Sequence, residues 1–155
     1  YVGRTFIQPT TAARELGVRI KLNPIRRILA GRRVVVIDDS IVRGTTSRKM
    51  IALIREAGAK EVHMYVASPP IKHPCFYGID IHSPNELLAA YRSVEEIRRF
   101  IGADTLCYLS AQGLAQAIGE SVEGLCMACM DGNYPTAVPQ PEAAGKYALE
   151  GEPMR

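Results

Sequence analysis

An α/β fold with a parallel sheet flanked by helices is the architecture this sequence predicts, and three observations predict it. Short β-branched runs alternate along the chain with segments of helical period. The run Val34-Val35-Val36-Ile37 is apolar without alternation, the pattern of a central strand buried on both faces of a parallel sheet. A turn with two carboxylates, Asp38 and Asp39, follows that run and leads into the strongest helical pattern of the chain.

The elements follow in order. Residues 1–9 mix Gly, Arg, Thr and Tyr and read as a loop or extended arm. Thr10 to Leu16 is a short helical candidate, capped by Thr10 or Thr11 and stopped by Gly17. Val18 to Leu22 alternates as a strand does, and Pro24 to Leu29 is ambiguous. Val34 to Asp38 is the central strand. Thr46 to Ala57 is a helix, with Met50, Leu53, Ile54 and Ala57 on one face and Gly58 as its stop. Val62 to Ala67 is the next strand, which completes a βαβ unit. The Pro-rich stretch 69–81 reads as a long ordered loop. Asn85 to Ala90 and Val94 to Ile101 are helical, the second capped by Ser93 with Glu95 and Glu96 in its first turn. Thr105 to Leu109 is a strand and Ala111 to Ile118 a last helix. Residues 1–136 form one domain, and the Ala-, Pro- and Glu-rich tail 137–155 is expected to be mobile.

Bulk properties exclude several classes. A chain of 155 residues fits one domain with a real core. A net charge of +3, with arginines only in short pairs, gives no basic stripe for nucleic acid. No apolar run approaches the ~20 residues of a membrane span, and no secretory signal is expected, because no charged start leads into an apolar core. Four Cys do not make a disulfide scaffold, so the expected compartment is cytoplasmic. The chain opens on Tyr1 inside a motif, which reads as a fragment.

The chemistry concentrates in the turn Asp38-Asp39-Ser40-Ile41-Val42-Arg43-Gly44-Thr45-Thr46. It lies at the carboxyl end of a strand, where open α/β sheets place their ligands. Carboxylates accept sugar hydroxyls and hold hard cations. Gly44 allows a backbone to approach a phosphate, and Thr45 and Thr46 supply hydroxyls and N–H groups at the positive end of a helix. Ser40 and Arg43 complete the loop, although a plain helix cap for the threonines and a surface charge for Arg43 explain those residues as well. The Cys126-x-x-Cys129 pair suggests metal or redox chemistry. Cys75 sits in the Pro-rich loop, and Cys107, inside Leu106–Leu109, reads as a buried strand residue. His63, His73 and His82 carry no specific signal.

This turn resembles the phosphoribosylpyrophosphate (PRPP) motif of the type I phosphoribosyltransferases. Residues 1–9 (Tyr-Val-Gly-Arg-Thr-Phe-Ile-Gln-Pro), 68–80 (Ser-Pro-Pro-Ile-Lys-His-Pro-Cys-Phe-Tyr-Gly-Ile-Asp) and 126–136 (Cys-Met-Ala-Cys-Met-Asp-Gly-Asn-Tyr-Pro-Thr) narrow the resemblance to the glutamine-dependent amidotransferase branch. The resemblance implies a parallel core incomplete at its N-terminus, whose earlier strand and pyrophosphate loop lie upstream. It implies that Asp38 and Asp39 face the ribose hydroxyls and Mg²⁺, with Ser40, Arg43, Gly44, Thr45 and Thr46 on the phosphate. It makes Tyr1, Arg4 and Thr5 part of a loop that closes over PRPP, with Arg4 toward the pyrophosphate. It assigns Cys75, Cys126 and Cys129 to a [4Fe–4S] cluster whose fourth Cys lies upstream; zinc is the alternative metal. The implied reaction transfers glutamine-derived ammonia to PRPP, giving 5-phosphoribosylamine, pyrophosphate and glutamate, the first step of de novo purine synthesis. Purine nucleotides as feedback inhibitors and a homo-oligomer follow from the same resemblance. The chain by itself is expected to be inactive and to fold poorly. A non-catalytic PRPP-binding regulator of transcription and a nucleobase salvage phosphoribosyltransferase are the rival readings of the turn.

Overall fold

The computed structural model describes residues 23–81 and 84–138. The expected helix at 10–16, the strand at 18–22, His82 and nearly all of the tail lie outside those residues.

Three parallel strands, β1 (Arg33–Asp38), β2 (Glu61–Val66) and β3 (Thr105–Tyr108), pair in the order β1-β2-β3. Val36 lies opposite Met64, and Met64 opposite Leu106. A four-residue helix, α1 (Arg26–Leu29), precedes β1 and resolves the ambiguous 24–29 stretch. Helix α2 (Thr45–Glu56) crosses from β1 to β2. The β2-to-β3 crossover is longer. It holds the loop through residue 81, a 3₁₀ turn (Pro84–Glu86), and helices α3 (Leu88–Tyr91) and α4 (Val94–Ile101). Helix α5 (Ala111–Ile118), a second 3₁₀ turn (Val122–Gly124) and α6 (Ala128–Asp131) follow β3. No helix among the described residues is long and apolar enough to cross a membrane.

The strands progress across the sheet in one direction. Right-handed crossovers then put both connecting helices on one face. Helices α2 and α4 accordingly pack on each other and on the strands. Between them lies the core of Ile41, Ile51, Val62, Met64, Val66, Ile97, Ile101 and Leu106. On α2 the buried stripe centres on Ile51, 1% exposed, with Ser47 and Ala57. Met50 and Ile54 pack against it, whereas Leu53, expected on this face, is only half-buried.

Two expectations for β1 are corrected. It is the edge strand among the described residues, because β2 and β3 both lie to one side. It is also not buried on both faces. Val35 and Ile37 are 59% and 75% exposed, and Tyr65 and Cys107 beside them are exposed too. The cause is topological. Alternate residues of a strand point to opposite faces, and both described crossovers cover the face that carries Val36 and Met64. Cys107, expected to be buried, therefore points from the open face. The amino end of that face is polar. Arg33 Nε donates to Glu61 at 2.6 Å, and the His63 ring bridges Glu61 at 3.1 Å and Thr105 Oγ1 at 2.9 Å. The His63 contact is the main reason the Glu61 carboxyl lies below its usual range.

The helix ends obey local chemistry. Ser93 caps α4 in a full capping box with Glu96, and Gly102 closes the helix in a left-handed conformation. Glu95 bonds Arg98 and Arg99 one turn on, which holds its carboxyl down at about 2. Residues 85–90, expected as one helix, split into a 3₁₀ turn and α3, because Leu87 between them is extended (φ −90°, ψ 101°).

Candidate functional site

Asp38 ends β1 on the helix-covered side and is half-buried; Asp39 starts the turn. The Asp39 N–H donates to Asp38 Oδ1 at 3.1 Å, and Ser40 Oγ donates to Asp39 Oδ1 at 2.9 Å. Burial raises the Asp38 carboxyl above its ordinary value. The Asp39 N–H opposes that shift and the Asp39 charge adds to it. Among the described residues no basic side chain forms an ion pair with either carboxylate. The pair is thus a concentration of oxygen donors whose charge has no counterion among the described residues.

Six residues further on, Gly44 is the N-cap of α2 at φ +69°. It supplies no side-chain cap, and the first turn holds no acidic residue. Helices α4 and α5 are capped by Ser93 and Ser110, which accept from the backbone N–H three residues on. The start of α2 therefore keeps its N–H groups available, at the positive end of a 12-residue helix. Thr45 and Thr46 occupy its first two positions. Arg43, by contrast, is engaged: its Nη2 donates to Glu86 Oε2 at 2.5 Å.

Gly44 is also sterically required. A Cβ there would lie 2.7 Å from Leu88 Cδ2 and 3.1 Å from Phe100 Cε1. Leu88 is itself buried in the core and has little room to yield. A left-handed conformation alone costs a residue with a Cβ about 1–2 kcal/mol. Gly44→Ala is expected to lower stability by at least that amount, read as a fall in denaturation midpoint. It should also displace the α2 start, read as weaker phosphate-ligand binding.

The second constellation joins the 69–81 loop to the segment after α5. Lys72 and His73 donate their backbone N–H groups to the Cys129 carbonyl at 2.8 and 2.9 Å. The Tyr77 N–H donates to Cys75 Sγ at 3.4 Å. Tyr134 spans the seam: its hydroxyl donates to the Pro74 carbonyl at 2.8 Å, and its ring meets Phe76 edge-on at 5.2 Å. Burial pushes the Cys129 thiol up, and the neighbouring Cys75 and Cys126 push it further. Cys75 and Cys126 thus lie near enough to bear on the Cys129 thiol, while Cys107 stands on β3. Three soft thiols at one seam suit iron or zinc by donor chemistry. Even so, no group of three or more His, Cys, Asp or Glu side chains among the described residues is arranged to hold a metal ion.

Tyr1, Arg4 and Thr5 lie outside the described residues. Sequence reasoning missed Glu86 and Tyr134, whose partners are distant in the chain, and α6, the four-residue helix that begins between the two Cys of the motif and is closed by Gly132.

Paired carboxylates at a strand's carboxyl end, with an uncapped Gly-Thr-Thr helix start six residues after Asp38, fall inside a stretch that matches the phosphoribosyltransferase class. The phosphoribosyl transferase domain family matches residues 4–73. The chain is 56% identical over 150 residues to the amidophosphoribosyltransferase of Synechococcus elongatus, covering 97% of this chain and 30% of that protein. It is 58% identical over 144 residues to the amidophosphoribosyltransferase of Bacillus subtilis, covering 90% of this chain and 30% of that one. The solved structure of glutamine PRPP amidotransferase from B. subtilis complexed with ADP and GMP superposes with a TM-score of 0.76 at 58% identity, over 90% of this chain and 32% of that chain. A structure described as the allosteric regulatory enzyme of purine biosynthesis gives a TM-score of 0.78 at 54% identity, over 97% and 33%. This chain belongs to the amidophosphoribosyltransferase family and spans about 30% of the length of the curated relatives it matches.

Proposed function

We propose that this chain is the PRPP-binding part of an amidophosphoribosyltransferase. The observation that carries this reading is the pairing of the Asp38–Asp39 carboxylates with the uncapped start of α2. In this reading Asp38 and Asp39 take the ribose hydroxyls and Mg²⁺, for which their hard oxygen donors are suited. Ser40 and the Gly44–Thr46 backbone and hydroxyls take the 5-phosphate. Arg4, Tyr1 and Thr5 act on the pyrophosphate side. Mg²⁺, when bound, neutralises pyrophosphate charge.

Ammonia released from glutamine elsewhere in the intact protein attacks the anomeric carbon. Its lone pair forms the new C–N bond, the C–O bond to pyrophosphate breaks, and pyrophosphate leaves with that electron pair. The amine then loses a proton to give 5-phosphoribosylamine. Negative charge from Asp38 and Asp39 stabilises the cationic sugar as the leaving group departs. Cys75, Cys126 and Cys129 are the ligands this chain offers to a [4Fe–4S] cluster. Purine nucleotides act as feedback inhibitors, a reading supported by the ADP and GMP named with the B. subtilis relative. The intact protein works as a cytoplasmic homo-oligomer.

Full-length protein assayed with ammonium and PRPP tests the reading. Saturable, Mg²⁺-dependent pyrophosphate release is expected. PRPP binding without turnover would favour the regulator, and turnover only with a nucleobase would favour the salvage enzyme.

A further inference from the structure

The 40–46 loop is braced from behind by the segment Pro84–Tyr91. The Leu88 N–H donates to the Val42 carbonyl at 2.9 Å. Arg43 Nη2 donates to Glu86 Oε2 at 2.5 Å, across 43 positions of sequence. A Cβ at Gly44 would run into Leu88 and Phe100, so only glycine fits against them. Three consecutive loop residues thus each engage this brace or the helix behind it. The brace is closed on itself, because the Tyr91 hydroxyl donates to the Pro84 carbonyl at 2.9 Å. A cleft of about 280 Å³ opens between Arg43, Asn85, Glu86, Leu88 and Tyr91.

The charge arrangement is informative. Arg43 lies four residues past Asp39 in the same loop, and the two carboxylates have no counterion among the described residues. An arginine in the same loop as such a pair is a natural partner for it. Here its guanidinium is drawn to Glu86 instead, which leaves Asp38 and Asp39 to sugar hydroxyls and a cation.

We propose that Glu86 is a positioning residue for the phosphate loop: it fixes Arg43 against the 84–91 brace, holds the loop in its ligand-ready shape, and keeps the guanidinium off Asp38 and Asp39. Arg43 is on this view a structural anchor and makes no contact with the ligand phosphate. The ligand side of the proposal rests on the reading of the loop as a PRPP site.

The test uses the full-length protein, with Glu86→Gln, Arg43→Glu, and the exchanged pair Arg43→Glu with Glu86→Arg. Two readouts are taken: amide hydrogen exchange across residues 40–47, and PRPP affinity by equilibrium binding together with KM and kcat. Glu86→Gln should speed exchange at 42–46. It should weaken PRPP binding about three- to fivefold, the scale of a partly exposed ion pair, and move KM more than kcat. The exchanged pair should return exchange and affinity toward wild type. An exchanged pair that binds PRPP as weakly as Arg43→Glu alone would overturn the proposal, because Arg43 would then touch the ligand. Unchanged exchange in Glu86→Gln would overturn it as well. Absence of PRPP binding by wild type would remove the functional reading, while the exchange comparison still decides whether Glu86 holds the loop.

Discussion

Asp39→Asn in the full-length protein is expected to cut ammonia-dependent turnover of PRPP by about a hundredfold or more, the usual cost of removing one preorganised electrostatic group from a charged transition state. Glutamine hydrolysis measured without PRPP should stay largely unchanged, since the change is confined to the strand end and its turn. The amide keeps one oxygen for Ser40 Oγ, so the local hydrogen bond to Asp39 Oδ1 survives and the loss is electrostatic. Equal loss of both activities would count against the assignment.

Asp38→Asn should lose turnover similarly but carry a different stability signature. Burial raises the folded-state carboxyl of Asp38. A raised carboxyl stabilises the fold below its unfolded value and loses that contribution as pH rises through the folded one. At neutral pH the ionised Asp38 therefore opposes folding, and the neutral amide should melt no lower than wild type without ligand. The acid limb of the PRPP affinity profile should lie above the ordinary aspartate range, because the ligand requires the ionised form.

How much of this was legible in the sequence depends on the range of the interaction. Ser93 with Glu96 three residues on announces a helix start, and the structure has that capping box. The βαβ unit from β1 through α2 to β2 follows from the β-branched runs and the Gly58 stop. The open sheet face was not legible. Val34 to Ile37 is apolar at every position, yet which face is covered depends on the direction in which crossovers run, a property of topology rather than of the run. Cys107 was misplaced for the same reason: it shares the face of Ile37 and Tyr65. The anchor of Arg43 by Glu86 was invisible, because nothing local in either residue marks a partner 43 positions away. Ile51, the most buried residue of α2, was passed over for Leu53, two residues and about 200° further round the helix.

Cysteine replacement should give an all-or-none result in the same full-length protein, purified without oxygen. Cys75→Ser, Cys126→Ser and Cys129→Ser are each expected to lose most of the iron and sulfide, and Cys107→Ser to keep both. Cys75 and Cys129 flank the seam where the Cys129 carbonyl accepts from Lys72 and His73 and Tyr134 reaches Pro74, and Cys126 stands three residues before Cys129. The fourth points from the open sheet face. A cubane cluster needs Cys ligation at all its irons, so losing one ligand of a set is not a proportional loss. Tyr134→Phe should show a milder version of the defect, since it removes the bond across the seam and leaves all three thiols in place. Iron and sulfide in near-equal amounts in wild type, lost together in the three variants, would establish the ligand set. Zinc without iron in wild type would assign the seam to the other metal. Iron lost on Cys107→Ser but kept on Cys75→Ser would mean that the loop at 69–81 and the Cys-x-x-Cys meet for packing alone.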